Sequence, residues 1–243
     1  MKLMIKLLPS KNLAWVLLLL GIVGLCLLYQ VPLHTKRLCL SVILSLLVIW
    51  CCALQLLSTY KKVFWALISL SALTAVAIIF WPLGDYDKQA IHASYLQNLV
   101  KYEGVDYHWG GENHQGIDCS GLPRRAYRDA LSLAAIKQMN PALGREALLQ
   151  WWHDTSAKSL LGSYRNNTTA RGTSGLIKNF EPNEAQAGDL AVTKSGLHVI
   201  VYLGDSRWIQ ADPAEGKVHI SPNTSDSVWF HMPVEILHWT LFD

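Results

Sequence analysis

Acidic residues are missing from the first third of this chain. All eighteen aspartates and glutamates lie at Asp85 or beyond, whereas seven of the twenty-one lysines and arginines precede it, so the first part carries +7 and the remainder −4. A net acidic remainder without a dense basic patch argues against nucleic acid as a partner. Cysteine is also scarce where the chain is polar. Of five cysteines, Cys26, Cys39, Cys51 and Cys52 fall in or at the edge of apolar runs, leaving Cys119 by itself. A lone thiol cannot form an internal disulfide, and its presence raises a functional question. Metal-ligand spacing is lacking too: His153 and Asp154 have no further spaced ligands, and neither a metal nor another cofactor is expected. No internal repeat or low-complexity segment stands outside the apolar runs.

What the first third does contain is three long apolar runs, Leu13 to Val31, Leu38 to Leu57 and Val63 to Leu83, none with a charged residue. Each can cross a hydrocarbon core of about 30 Å at about 1.5 Å per helical residue. A cleaved signal peptide competes for the first run only, and its length, without a convincing small-residue cleavage site, favours a retained helix. We therefore expect a membrane anchor over residues 1–84, with spans at about 13–31, 38–57 and 63–83, followed by a separate domain at 85–243. With the N-terminus inside, Lys2, Lys6, Lys11, Lys61 and Lys62 face the cytoplasm against Lys36, Arg37 and Lys88 opposite. The positive-inside rule then puts the domain outside the cytoplasm, with lipid as the partner of the spans.

Beyond Gly84 the chain turns polar. Lys88 to Tyr102 has helical spacing and Gly104 supplies its stop. Val105 to Ile117 is glycine-rich and aromatic and reads as a loop, and Leu122 to Leu131 as a helix. Arg145 to Ser159 also reads as a helix, with Trp151 and Trp152 expected in the core, and Ser163 to Ser174 as a loop. From Pro182 short β-rich runs follow: Gly188 to Val192, His198 to Leu203, Arg207 to Ala211 and Val218 to Ile220, with Val228 to His231 a further candidate. Lys194-Ser195-Gly196 and Gly204-Asp205-Ser206 are hairpin turn chemistry. Helices first and a small antiparallel sheet afterwards predict an α+β domain.

Asp118-Cys119-Ser120-Gly121 is the stretch that carries chemistry. A cysteine at a helix start meets unsatisfied amides and the positive end of the dipole, which predicts a thiol that ionises near neutral pH. Pro123 suits a first helical turn. A nucleophile needs a base, and the base needs a third group to orient it. His198 opens a strand after a turn, where its ring can face a helix packed across the sheet, and Gln210 lies on the neighbouring strand of the hairpin, within reach if the register allows.

Tyr107-x-Trp109-Gly110-Gly111, Gly116-Ile117-Asp118-Cys119-Ser120-Gly121-Leu122, Ala187-Gly188-Asp189-Leu190 and His198-Val199-x-x-Tyr202-Leu203-Gly204-Asp205 resemble, in order, the motifs of the NlpC/P60 cysteine peptidases. The resemblance covers about Ala90 to Val218 and excludes the apolar runs. It implies a papain-like α+β fold and hydrolysis of peptidoglycan stem peptides, often between γ-D-glutamate and a diamino acid. It also implies Cys119 as nucleophile and His198 as base and then acid, with Gln210 standing where a second histidine or another polar residue is common. Tyr107 matches the family tyrosine near the nucleophile. Asp118 and Ser120 match positions that in some members bind the amino end of a short stem peptide. The gap between Cys119 and His198 is longer than the family pattern and implies an insertion within about 129–184. Two other readings stand beside this one: an extracytoplasmic amidase or acyltransferase using the same cysteine, and a non-catalytic membrane-bound wall-binding protein.

Overall fold

The computed structural model describes residues 10–181 and 184–242. Lys2, Lys6 and Pro182 lie outside them. Three long helices open the chain: α1 (Lys11–Tyr29), α2 (Lys36–Leu57) and α3 (Lys61–Phe80). Ser10 and Thr35 cap the first two by accepting from the Leu13 and Leu38 amides, as short hydroxyl residues do for the orphan donors of a first turn. All three are long and apolar enough to cross a membrane, and almost none of their surface is buried inside the protein.

The second part is α+β. It contains α4 (Lys88–Val100), a two-stranded ribbon of β1 (Glu112–Asn113) and β2 (Gly116–Ile117), then α5 (Gly121–Lys137), α6 (Pro141–Trp152) and α7 (Ala157–Leu161). Strands β3 (Thr168–Leu176), β4 (Leu190–Thr193), β5 (Val199–Gly204), β6 (Arg207–Asp212), β7 (Lys217–Pro222) and β8 (Pro233–Trp239) make one sheet, ordered β3-β8-β4-β5-β6-β7 with every pairing antiparallel. Alternation along the strands divides two cores. Val199, Val201, Ile209, Ala211 and Trp239 face α4 and α5, while Ile200, Tyr202, Trp208 and Ile236 pack with Phe230 on the opposite face. Period-two side chains make this division obligatory. Tyr127 of α5 stacks on Trp239 at 4.2 Å between ring centroids, fixing the helix on the sheet.

Several local expectations change. The supposed loop at Ser163 to Ser174 is largely β3, an edge strand whose polar composition disguised it; it pairs only with β8 and is mostly exposed. Its ladder shifts between Ala170 and Ser174, around Gly172 at φ 80°. Val228 to His231 is a 3₁₀ turn, not a strand, and the strand β8 that follows it completes the sheet. The helix expected over Arg145 to Ser159 starts earlier, with Asn140 as cap and Pro141 in its first turn, and ends at Trp152 before the separate α7. Trp151 and Trp152 do not enter the core. The Trp151 carbonyl accepts from His34 Nε2 at 2.8 Å, and the Trp152 ring carries Lys36 Nζ at 4.3 Å.

Those contacts belong to a seam between the two parts. Leu33, in the link between α1 and α2, bridges Gly111 in antiparallel fashion. The His34 amide donates to the Gly110 carbonyl at 2.7 Å, the Glu112 amide to the Pro32 carbonyl at 3.0 Å, and the Asn113 side-chain amide to the Val31 carbonyl at 2.7 Å. The link thus lies on the loop that leads into the cysteine motif.

Candidate active site

The cysteine loop is held by glycine and by one carboxylate. Gly110 adopts φ 73°, and a Cβ on Gly121 would collide with the Gly111 carbonyl, so the loop and the start of α5 approach as only glycines allow. Asp118 bonds both: Oδ2 accepts from the Gly110 amide at 2.9 Å, while Oδ1 accepts from the Ser120 amide, the Ser120 hydroxyl and the Gly121 amide at 3.0, 3.0 and 2.6 Å. Ser120 is buried beside it.

This arrangement overturns the expectation of a thiol ionised near neutral pH. Cys119 is buried, and burial, with the Asp118 carboxylate adding to it, pushes its thiol up to about 12. The Gly121 amide is already donated to Asp118, and the Val199, Ser120 and Cys119 amides, which act to lower the thiol, do not offset burial and Asp118. The sulfur lies against the backbone on both sides of His198: it is 3.9 Å from the Leu197 carbonyl, and the Val199 amide acts to lower its thiol.

His198 stands just before β5 and its ring turns away from the helices. It stacks on Trp229 at 4.1 Å and 11° between planes, on the side of the second core, rather than facing a helix packed across the sheet. The Thr193 hydroxyl fixes the backbone here by accepting from the Leu197 and His198 amides, each at 3.0 Å. Gln210 Oε1 lies 2.7 Å from His198 Nε2. Their positions are diagonal, because the Val201↔Ile209 and Tyr202↔Trp208 register, carried back along β5, sets His198 opposite Asp212. Gln210 Nε2 in turn donates to Asp212 Oδ2 at 3.3 Å and lies 3.4 Å from His219 Nε2. A carboxylate only accepts, so the amide must present its oxygen to the imidazole. Nε2 of His198 then carries the proton, and Nδ1 keeps the lone pair.

Asp212 escaped sequence reasoning. It is buried, and Oδ1 takes the Ala214 amide at 2.8 Å and the Trp229 indole N–H at 3.2 Å, while Oδ2 takes the Ser227 hydroxyl at 3.2 Å. Burial works to raise its carboxyl, but these donors and His198 outweigh it and hold it low. The available signal was a charged residue two positions beyond Gln210, on the same face of the same strand. Burial drives His198 down to about 4 despite the raising effects of Gln210 and Asp212, and His219 lowers it further. Near neutral pH the pair is therefore a neutral thiol and a neutral imidazole. Tyr107 is half-buried, and burial, then Cys119, Asp118 and Asp212, all push its hydroxyl up, so it remains a proton donor.

Behind the loop lies a second charged group. Glu112 is buried with Oε1 at 3.3 Å from Arg124 Nη2 and Oε2 at 2.8 Å from Arg128 Nη1 and 3.1 Å from His34 Nδ1. Burial acts to raise its carboxyl; Arg124, Arg128 and His34 prevail and hold it at about 2. Asp154, weighed above as a metal ligand, pairs with Arg124 at 2.6 Å.

Several known proteins are similar to this chain. The murein DD-endopeptidase MepS/murein LD-carboxypeptidase of Escherichia coli strain K12 is 22% identical over 131 residues, 53% of either chain, so this chain spans about half the length of the curated relatives it matches. Among solved structures, the peptidoglycan hydrolase RipB from Mycobacterium tuberculosis aligns at 21% identity over 66% of this chain and 69% of its own, with a TM-score of 0.39. The NlpC/p60 domain of the peptidoglycan hydrolase SagA aligns at 23% identity over 60% and 97%, with a TM-score of 0.37. The NlpC/P60 family model matches residues 104–235, more than half of the sequence and a span that includes Tyr107, Cys119, His198, Gln210 and Asp212: this chain belongs to the NlpC/P60 family.

Proposed function

We propose that this protein is a membrane-anchored cysteine peptidase that hydrolyses the stem peptides of peptidoglycan, with Cys119 as nucleophile and His198 as its base. The observation that carries the reading is the Nε2 contact of His198 with Gln210 at 2.7 Å, which leaves Nδ1 unprotonated while the Cys119 sulfur lies against the flanking backbone. Family membership and the murein-cleaving relative supply the substrate class. The thiol turns from the Leu197 carbonyl to His198 Nδ1, gives up its proton there, and attacks the stem-peptide carbonyl. Collapse of the tetrahedral adduct breaks the C–N bond as His198 returns that proton to the leaving amine. Water then attacks the thioester, assisted by the same nitrogen, releasing a carboxylic acid and the thiol.

A neutral resting pair makes this general-base chemistry. With the Gly121 amide held by Asp118, oxyanion stabilisation falls to the Cys119 and Ser120 amides and the Tyr107 hydroxyl. The rim of Asp118 and Ser120 is assigned to the amino end of the stem peptide. In the membrane part, Lys11 Nζ bonds Thr59 Oγ1 at 2.8 Å, bringing Lys11, Lys61 and Lys62 to one end of the helices, and Lys36 and Arg37 begin α2 at the other. That bias supports a multi-pass protein of the bacterial cytoplasmic membrane, with a domain at 85–243 facing the periplasm or cell wall. Its long inter-motif segment, within 129–184, acts as an insertion that shapes substrate access.

The test is mass spectrometry of purified wall peptides incubated with the full chain in detergent, beside its Cys119→Ala counterpart. Cleavage by the native chain alone is expected, and the products identify the scissile bond. Equal cleavage by both would sink the reading.

A further inference from the structure

The catalytic domain has an apolar corner at the end of α5 and on α6. Leu133 is 40% exposed, Ile136 77%, Met139 84% and Leu148 51%. Scattered exposed apolar side chains need no explanation, so the position of these four decides what they mean. Arg145, three residues before Leu148 on α6, donates through Nη1 to the carbonyls of Ile78, Ile79 and Trp81 at 3.2, 3.0 and 3.0 Å. These are the last turn of α3 and its C-cap. On the other flank the Asn140 side-chain amide donates to the Leu83 carbonyl at 2.8 Å, and the Gln138 side-chain oxygen accepts from the Asp87 amide at 2.9 Å. Leu83 follows the last residue of α3 by three positions, which spans at most about 11 Å even fully extended. The headgroup layer beyond the hydrocarbon is roughly 5–8 Å deep on each side.

The apolar corner is therefore pinned at the level where α3 leaves the hydrocarbon. Ile136 and Leu148 also line, together with Ile78 of α3, a cleft of about 430 Å³ that takes in Arg125 and Arg128. Lys137 beside the patch has a stem long enough to place its charge among headgroups while covering apolar surface. Trp81, half exposed at the end of α3, is the kind of side chain that marks that level.

We infer that Ile136, Met139 and Leu148 sit in the bilayer interface, so that the lipid surface itself docks the catalytic domain. This rests on the reading of α1 to α3 as membrane spans. The lipid contact holds the domain at one tilt, presenting the cysteine loop at a fixed height above the membrane. The partner is an ordinary phospholipid whose upper acyl segment meets the patch.

The full chain is reconstituted in nanodiscs containing phosphatidylcholine with a diazirine high on one acyl chain, photolysed, digested and mapped by mass spectrometry. Adducts on residues 133–148 as well as on α1 to α3 are expected. Adducts on α1 to α3 with none on 133–148 overturn the inference and leave the spans standing. Absence of adducts on α1 to α3 removes the spanning reading, and this one with it. A second arm uses I136D/M139D, at exposed positions where the fold tolerates charge, with thermal unfolding to check it. Labelling around Leu148 falls at least five-fold while that of α3 is kept; unchanged labelling around Leu148 overturns the inference.

Discussion

Of the carboxylates buried within this domain, Glu112 and Asp212 are used in opposite ways. Glu112 touches two guanidinium groups and the His34 ring directly, with no group standing between them. Asp212 reaches His198 only through the amide of Gln210, and its remaining partners are neutral donors: an indole, a hydroxyl and an amide, with the His219 ring at 3.6 Å. A directly paired buried charge locks geometry, since removing either member strands the other in a poor solvent. A carboxylate set one group back biases a titratable ring without fixing its protonation. The first arrangement joins the α1–α2 link to the cysteine loop; the second stands behind His198, the base we propose.

The sharpest break in this comparison comes at the ring. His198→Ala should lower turnover by about 10²–10⁴-fold, the range for a positioned base, while the acid unfolding profile retains its Glu112 limb. Turnover within two-fold of the native chain would reject His198 as the base.

Glu112→Gln should do the reverse. Leaving Arg128 without its carboxylate and Arg124 with Asp154 alone costs about 3–5 kcal/mol of stability, read by chemical unfolding of the full chain. The native protein shows the same linkage in acid. The Glu112 carboxyl titrates near its ordinary 4.5 when unfolded and at about 2 when folded, so the unfolded chain binds more protons between those values. Stability falls as pH drops through that window, and Glu112→Gln flattens the fall. An unchanged slope would show that the cluster is not directly paired in solution.

Asp212→Asn should have a smaller and differently shaped effect. With the carboxylate gone, the imidazolium formed during attack loses a stabilising charge, and kcat drops roughly ten-fold, the ~1.4 kcal/mol of one pKa unit. The acid limb of kcat/KM, set by His198 at about 4, moves to lower pH because the neutral ring is favoured further. A purely structural role would lower activity without moving the limb. The smallest change expected is from His34→Ala, which removes the contacts with Glu112 and the Trp151 carbonyl. It should destabilise by about 1–3 kcal/mol, with kcat unchanged at permissive temperature.

The motif residues were legible because each is required locally. Gly110 needs a left-handed backbone and Gly121 an approach without Cβ. The three apolar runs were legible by length alone, and the strands β4 to β7 by alternation between turns. Strand β3 was hidden because an edge strand with one neighbour has little apolar side chain to bury, and β8 because nothing local announces a strand whose partners lie 41 to 71 residues back. The thiol's acidity was misread for a related reason: a helix start predicts stabilised negative charge only where the group is solvated, and burial beside the Asp118 carboxylate outweighs the nearby amides.

By itself the sequence determined what kinds of groups are present and which spacings put them on one helix start, one hairpin or one span, because those depend on backbone geometry over a few residues. The tertiary structure alone decided which carboxylate stands behind the base, how deeply the thiol is buried, and that the link between the first two apolar helices lies on the cysteine loop. Those depend on register, on desolvation and on contacts between distant segments, and none is fixed until the sheet closes and the two parts of the chain meet.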